Sequence, residues 1–289
     1  MILSYNTLLV MTGTSLLGAA AGMIGIFLLL RKRSLLSDGV SHATLPGIAL
    51  GFLCALSLGL DDGRHLPTLL CGAALSGILG AFCVQLLKDH TRLNEDTATG
   101  VILSAFFGAG IVLLSYIQTL GSGSRAGLDS FLLGQTAALT LFEIKITAFL
   151  ALIAIAASIV LRKELILLCF DEIFTSAQGY SRRILDSILM ALMLLVVCIG
   201  LKTVGLILII SLLIIPAATA RLLSDKLSTI MIIAPFCGAI SAATGSYISA
   251  LITNIPTGAM IVLICSLFFT LALLFSSSHG LWRCRKVLT

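Results

Sequence analysis

The stretch SLLSDGVSHATLPGIALG, residues 34–51, places a carboxylate, an imidazole and a proline where a membrane helix is expected. Asp38 and His42 are four residues apart, so a helix stacks them on one face. Pro46 continues the same row and has no N–H, so the carbonyl of His42 loses its helical partner. The sequence therefore predicts a kink in this helix beside the ionisable pair.

A second row on the same helix consists of Ala43, Gly47 and Gly51, which are small enough to let another helix approach closely. An ionisable pair beside a break in a membrane helix is costly to bury in lipid, and such pairs mark ion and substrate paths. The pattern favours a functional pair, with Pro46 and Gly47 as hinge residues of a path. The alternative interpretation is a pair that is merely solvated at the cytoplasmic headgroups.

The composition outside this stretch indicates a polytopic membrane protein. Hydrophobic residues make up 58% of the 289 residues, charged residues only 11%, and the mean hydropathy is +1.14. A helical span needs about 20 apolar residues, so the chain can fill many spans in contact with membrane lipid. The net charge of +5 is divided among short clusters between apolar runs, as in cytoplasmic loops, and does not indicate a nucleic-acid partner.

The apolar runs predict an all-α fold with the N-terminus outside, the C-terminus inside, and one transmembrane permease domain over residues 1–289. The nine predicted spans are residues 8–30, 34–60, 67–87, 97–116, 142–161, 184–200, 204–223, 227–251 and 258–275. An eight-span alternative merges or removes a span near Lys202, where two spans meet in a very tight turn.

The charges support this topology. The basic clusters fall on one side of the predicted membrane, at residues 31–33, 162–163, 221 and 283–286. Residues 61–65 are predicted to form a short polar turn outside. A Gly/Ser turn at residues 121–125 leads into a semi-polar segment ending near residue 140, which is predicted to be re-entrant or to lie at the surface.

Residues 164–183, ELILLCFDEIFTSAQGYSRR, are too charged to span, and their amphipathic pattern predicts a helix lying on the cytoplasmic side. Within it, Asp171, Ala177 and Gly179 are spaced as a helical face that ends at a glycine. Pro216, in the apolar run 205–223, predicts a break near the cytoplasmic end of another span. Spacing alone leaves open whether that span is a packing helix or lines a pore.

Several catalytic signatures are absent from the sequence. There is no G-x-x-x-x-G-K-[ST] loop for ATP, no H-E-x-x-H zinc motif and no G-x-S-x-G nucleophile elbow. The chain is therefore predicted not to be an enzyme.

Four stretches together resemble the permease family of ABC-type manganese, zinc and iron importers. They are RKRSLLSDGVSHATLPGIALG, FDEIFTSAQG, GLILIISLLIIPAATARLL and NIPTGAMIVL, in the family's order over nearly the whole chain. The resemblance implies a multi-pass subunit of the bacterial inner membrane, a second or sister permease, a cytoplasmic ATPase and an extracytoplasmic metal-binding protein. It also implies that Asp38 and His42 lie on the metal path, and that residues 164–183 form the coupling helix that docks on the ATPase.

The chemistry of the pair fits a transported divalent ion. One carboxylate and one imidazole are too few ligands, but two copies across a twofold axis supply two oxygens and two nitrogens, which suit Zn²⁺ or Mn²⁺. Few ligands also let the ion leave, so no cofactor is expected to stay bound. Two alternatives stay open: a secondary ion transporter, which would show paired repeats, and an ABC permease for a metal chelate or vitamin, which would need a wide, uncharged path.

Overall fold

The computed structural model describes residues 5–59, 66–119, 140–252 and 256–276, and within these ranges it contains helices and no strands. Each helix corresponds to an apolar or amphipathic run of the sequence. The eleven helices of the described ranges are α1 Tyr5–Leu30, α2 Ser34–Ser57, α3 Leu66–His90, α4 Glu95–Thr119, α5 Leu141–Val160, α6 Arg162–Phe170, α7 Glu172–Ala177, α8 Arg182–Thr203, α9 Leu206–Leu223, α10 Leu227–Leu251 and α11 Thr257–Phe275.

The described ranges contain eight helices that are long and apolar enough to cross a membrane, which are α1–α5, α8, α10 and α11. The predicted ninth span is α9, whose apolar run Leu208–Leu223 is shorter than the others. The turn predicted near Lys202 is present: α8 ends at Thr203, and Gly205 has a φ of 87° that glycine adopts readily. The predicted turn at residues 61–65, the segment 121–139, most of the outer turn at 253–257 and the basic tail at 283–286 lie outside the described residues.

The helices pack in two groups, which α8 connects. Helices α2, α3 and α4 form one group, called here the α2 group, and α1, α9, α10 and α11 form the other, called the α1 group. Helix α8 contacts both groups, and α5 packs against α1 and α8. This arrangement places the predicted site residues 38, 42, 46 and 47 in the α2 group and Pro216 in the α1 group.

Small residues allow close approach of helices in both groups. A Cβ atom added to Gly47 of α2 would lie 2.1 Å from the carbonyl oxygen of Gly72 on α3. In the α1 group, a Cβ atom on Gly18 would lie 2.4 Å from the carbonyl oxygen of Gly238 on α10. Both crossings fit the rule that membrane helices associate through small residues, because lipid offers no hydrophobic driving force between them.

The break predicted at Pro216 is not present, and the helix is also continuous at Pro46, where the predicted kink stays a prediction. Helix α2 runs through Pro46 without interruption, and α9 runs through Pro216. Neighbouring helices and hydroxyl side chains make a proline tolerable in a membrane helix. Close to Pro46, the Ser76 hydroxyl of α3 donates a 2.6 Å hydrogen bond to the carbonyl of Ala43.

The prediction of a single cytoplasmic helix over residues 164–183 is also wrong. Its residues divide among α6, α7 and the start of α8, so Arg182 and Arg183 belong to a membrane-spanning helix. The division occurs at Asp171, which has extended backbone angles and therefore ends α6 and begins α7.

Candidate metal site and coupling segment

Asp38 and His42 lie one helical turn apart on α2, as their spacing predicts. Nε2 of His42 is 3.3 Å from Oδ1 of Asp38. The side chains are 34% and 21% exposed, so the pair is covered on one side and open on the other. This arrangement presents one carboxylate and one imidazole to the same space.

Helix α4 covers the pair on one side. The Phe107 ring meets the His42 ring edge-on, with 5.0 Å between centroids and 85° between planes. Gly39 of α2 lies against Thr99, and Gly110 of α4 lies against Pro46, so the two helices run parallel in close contact. Pro46 therefore serves as a packing surface for α4 in this structure.

The His42 ring is only partly satisfied by the protein. Its Nδ1 atom is buried, and no hydrogen-bond partner for it occurs in the described ranges. The nearby hydroxyls bond to the backbone: Ser37 donates to the carbonyl of Ser34, Ser41 to Ser37 and Thr44 to Ser41, each at 2.6 Å. A cation at the pair would therefore contact Nε2 of His42 and the Asp38 carboxylate rather than the buried Nδ1.

One copy of the described chain supplies few ligands for a metal. No group of three His, Cys, Asp or Glu side chains comes together within the described ranges. Beside the pair, however, α4 presents a partly open face of Gly100, Ser104, Phe107 and Ile111. A Cβ atom added at Gly100 would meet nothing within 4 Å, so another helix has room to approach there.

The other predicted path residues, Gly47 and Pro216, lie where helices pack against each other. Gly47 lies at the closest approach of α2 and α3. Pro216 lies in the α1 group, where its neighbours Ala217 and Ala220 pack with Met23 and Ile26 of α1. The structure thus brings Asp38, His42, Pro46 and Gly47 together on α2 and leaves Pro216 in the other group.

The predicted coupling segment, a name used here for α6 and α7 with the connection to residue 181, is anchored by its buried side. Leu165, Leu168 and Thr175 are almost fully buried. Apolar side chains on the other side are exposed at the surface of the chain, namely Phe170 at 67%, Ile173 at 85% and Phe174 at 48%. Exposed apolar groups of this size, at the end of α6 and in α7, are typical of a contact surface.

The three predicted coupling residues do not share a helical face. Asp171 is the N-cap of α7, and its carboxylate accepts hydrogen bonds from the backbone N–H groups of Ile173 and Phe174. Ala177 is the last residue of α7. Gly179 follows at a φ of 85°, where its N–H donates to the Ser176 carbonyl and that of Tyr180 donates to the Thr175 carbonyl. The predicted glycine stop is confirmed, and the predicted face is wrong.

The sequence analysis missed an ion cluster at the start of α2. Nη1 of Arg33 lies 2.6 Å from both carboxylate oxygens of Asp186 on α8, and its Nε lies 2.6 Å from Glu95 on α4. Arg31 lies 3.3 Å from Asp186, and Lys88 of α3 pairs with Glu95 at 2.5 Å. Arg31 and Arg33, which the sequence suggested were anchors at the membrane surface, are only 5% exposed.

A signal for this cluster was present in the sequence. Asp186 is a carboxylate inside an otherwise apolar span, and such a residue needs a partner of opposite charge.

The turn between α1 and α2 explains why the arginines beside it are buried. Lys32 adopts a left-handed φ of 57°, and the N–H of Arg33 donates to the Leu28 carbonyl. The chain therefore turns from the end of α1 at Leu30 to the start of α2 at Ser34 within three residues. The flanking arginines thereby point into the bundle.

Comparison with known proteins identifies related membrane subunits. The model of the ABC 3 transport family matches residues 4–276. The manganese transport system membrane protein MntC of Bacillus subtilis is 42% identical over 96% of this chain, which spans 62% of that relative's length. The zinc transport system membrane protein TroC of Treponema pallidum is 35% identical over 98% of this chain and 94% of its own.

A solved structure shows the same fold. In PsaBC from Streptococcus pneumoniae in complex with Fab, one chain superposes with a TM-score of 0.82. That chain is 29% identical, and the match covers 99% of this chain and 96% of the other. The agreement extends over the described helices of both groups.

Proposed function

This chain belongs to the ABC 3 transport family and is a multi-pass protein of the plasma membrane; from that premise we propose that it is the permease subunit of a bacterial importer for a divalent transition metal. The cargo is manganese, zinc or iron, and a separate cytoplasmic ATPase supplies the energy. The relatives named for manganese and for zinc support these two metals as cargo.

The observation that carries the proposal is the Asp38–His42 pair. It places an oxygen and a nitrogen ligand 3.3 Å apart on a membrane helix, and both side chains are partly exposed. First-row divalent ions accept both ligand types. Burying an ionisable pair in lipid is costly, so such a pair on a membrane helix indicates a functional site by default.

A second permease copy completes the ligand set. Two copies related by a twofold axis bring two carboxylates and two imidazoles to one ion. The open face of α4 beside the pair offers the room for this approach, with Ser104 and Gly100 next to Phe107. The same arrangement holds with a sister permease that carries an equivalent pair.

The ATPase docks on the coupling segment. Phe170, Ile173 and Phe174 supply an exposed apolar contact, and the Asp171 cap and Gly179 turn fix the orientation of α7. An extracytoplasmic metal-binding protein delivers the ion at the opposite end of the bundle, as in importers of this class. Opening and closing of the path then follows the ATPase cycle.

The proposal is tested by uptake of radiolabelled Mn²⁺ and Zn²⁺ into proteoliposomes that contain the chain, its partner ATPase and the binding protein. Uptake that requires ATP and both partners supports a metal-importing permease. Metal uptake without ATP hydrolysis would favour a secondary transporter. Uptake of a metal chelate or vitamin without uptake of the free ion would favour the other alternative.

A further inference from the structure

The ion cluster joins the helix that carries Asp38 and His42 to the coupling segment. We propose that Arg33 and Asp186 are positioning residues that transmit displacement of the coupling segment to α2, and so set the position of the metal-binding pair. This inference rests on the proposed function, because it assigns the cluster a role in ATP-driven transport.

The link begins at the first residue before α2. Arg33 occupies the N-cap position of α2, although its side chain makes no capping bond to that helix. The side chain instead bonds to Asp186 of α8 and Glu95 of α4. Asp38 follows five residues later, about 7.5 Å along the helix axis. A displacement at Arg33 therefore reaches the pair through less than two turns of rigid helix.

The other end of the link lies in the coupling segment. Nη1 of Arg31 donates a 3.0 Å hydrogen bond to the carbonyl of Leu168 in α6, and Nη2 of the same side chain lies 3.3 Å from Asp186. Asp186 lies in the first turns of α8, and only residues 178–181 separate α8 from α7. A force applied to α7 therefore reaches Asp186 both through the chain and through α6.

Burial makes the link stiff. Arg31 and Arg33 are 5% exposed and Asp186 is 16% exposed, so water screens the attractions weakly. The guanidinium of Arg33 holds two carboxylates in fixed directions, which a point charge could not do. The pair Arg221–Asp225 on the same end of the bundle is different, because its atoms are 3.6 Å apart and its side chains are 49% and 59% exposed.

The test measures uptake and ATP hydrolysis together in proteoliposomes that hold the complete complex. We expect that Asp186→Asn lowers the metal taken up per ATP hydrolysed by about tenfold or more, as expected for a lost coupling. The matched control is Asp225→Asn, which alters the exposed pair and should leave this ratio at the wild-type value. A merely structural role for Asp186 would lower uptake and hydrolysis in proportion, with an unchanged ratio.

Two further variants keep the test decisive if Asp186→Asn does not assemble. Glu95→Gln removes the second carboxylate of Arg33 at a more exposed position and should also lower the ratio. Arg33→Lys keeps the positive charge but cannot hold two carboxylates in fixed directions, so it should also lower the ratio. An unchanged ratio in both Glu95→Gln and Arg33→Lys would overturn the inference, whereas a wild-type complex without ATP-dependent uptake would overturn the proposed function itself.

Discussion

Two sets of ionisable side chains lie near the start of α2, and they differ in burial and in the number of opposite charges that surround each side chain. In the cluster, Arg33 makes close contacts with two carboxylates and is almost entirely buried. In the pair, Nε2 of His42 lies 3.3 Å from Oδ1 of Asp38, and Nδ1 of His42 has no hydrogen-bond partner among the described residues. Close contacts between buried opposite charges stabilise and connect helices, whereas a partly exposed pair can still bind a cation. Substitutions in the pair should therefore abolish ion binding with little loss of stability, whereas substitutions in the cluster should lower the stability of the fold.

The largest expected effect is loss of uptake when the pair is altered. Asp38→Asn removes the negative charge that offsets the cation, and His42→Ala removes the nitrogen ligand. Each should reduce ATP-driven metal uptake to background while the complex assembles with its ATPase, since the partly exposed pair contributes about 1 kcal/mol or less to stability. The measurement is uptake of radiolabelled Mn²⁺ at equal amounts of assembled complex. Wild-type uptake in the double variant would assign the pair no role, and failure to assemble would assign it a structural role.

The second expected effect is loss of stability when the cluster is altered. Arg33→Met keeps much of the side-chain volume but leaves Asp186 and Glu95 without their shared guanidinium. Removing one partner of a buried ion pair costs about 3–5 kcal/mol. Thermal unfolding of the purified chain in detergent should show this loss, and Asp38→Asn should not. Equal melting temperatures for Arg33→Met and wild type would remove the distinction between the two sets.

The third expected effect tests whether Gly47 is a packing residue or a hinge of the path. Gly47→Ala places a Cβ atom against the Gly72 carbonyl oxygen and should destabilise the fold by about 1–3 kcal/mol. Gly100→Ala is the matched control, because a Cβ atom there meets nothing within 4 Å and alanine is the better helix former. Unfolding in detergent measures both variants. A Gly47→Ala protein as stable as Gly100→Ala would show that α2 and α3 can separate at low cost.

The smallest expected effect concerns the end of α7. Gly179→Val places a branched residue at a φ of 85° and should cost about 1–2 kcal/mol locally. The strain displaces the exposed apolar surface from its docking orientation, so uptake should fall more than ATP hydrolysis. Unchanged uptake in this variant would show that the segment is a simple connection.

The sequence predicted the helices well, because each span is a long apolar run bounded by charges or glycine. Residues 227–251 were predicted with the same bounds that the structure gives to α10. The stacking of Asp38 on His42 also followed directly from the helical period. Local rules were therefore sufficient wherever a single helix decides the outcome.

The failures arose where distant parts of the chain decide the outcome. Helix α2 continues through Pro46, where α4 packs against the proline and the Ser76 hydroxyl of α3 donates to the Ala43 carbonyl, and neither contact is visible in the local pattern. The burial of Arg33 depends on Asp186, 153 residues later in the chain. A basic residue beside a span is usually at the membrane surface, so the pattern favoured an anchor.

The central claim is that Asp38 and His42 bind the transported ion, with both ligands supplied by each of two permease copies. Pulsed electron paramagnetic resonance on the Mn²⁺-loaded complex tests it directly, because a coordinated imidazole nitrogen modulates the signal of the bound ion. The account predicts nitrogen modulation from bound Mn²⁺ that disappears in His42→Ala, and one bound ion for every two copies of the chain. Nitrogen modulation that persists in His42→Ala, or Mn²⁺ binding that is unchanged in Asp38→Asn, would contradict it.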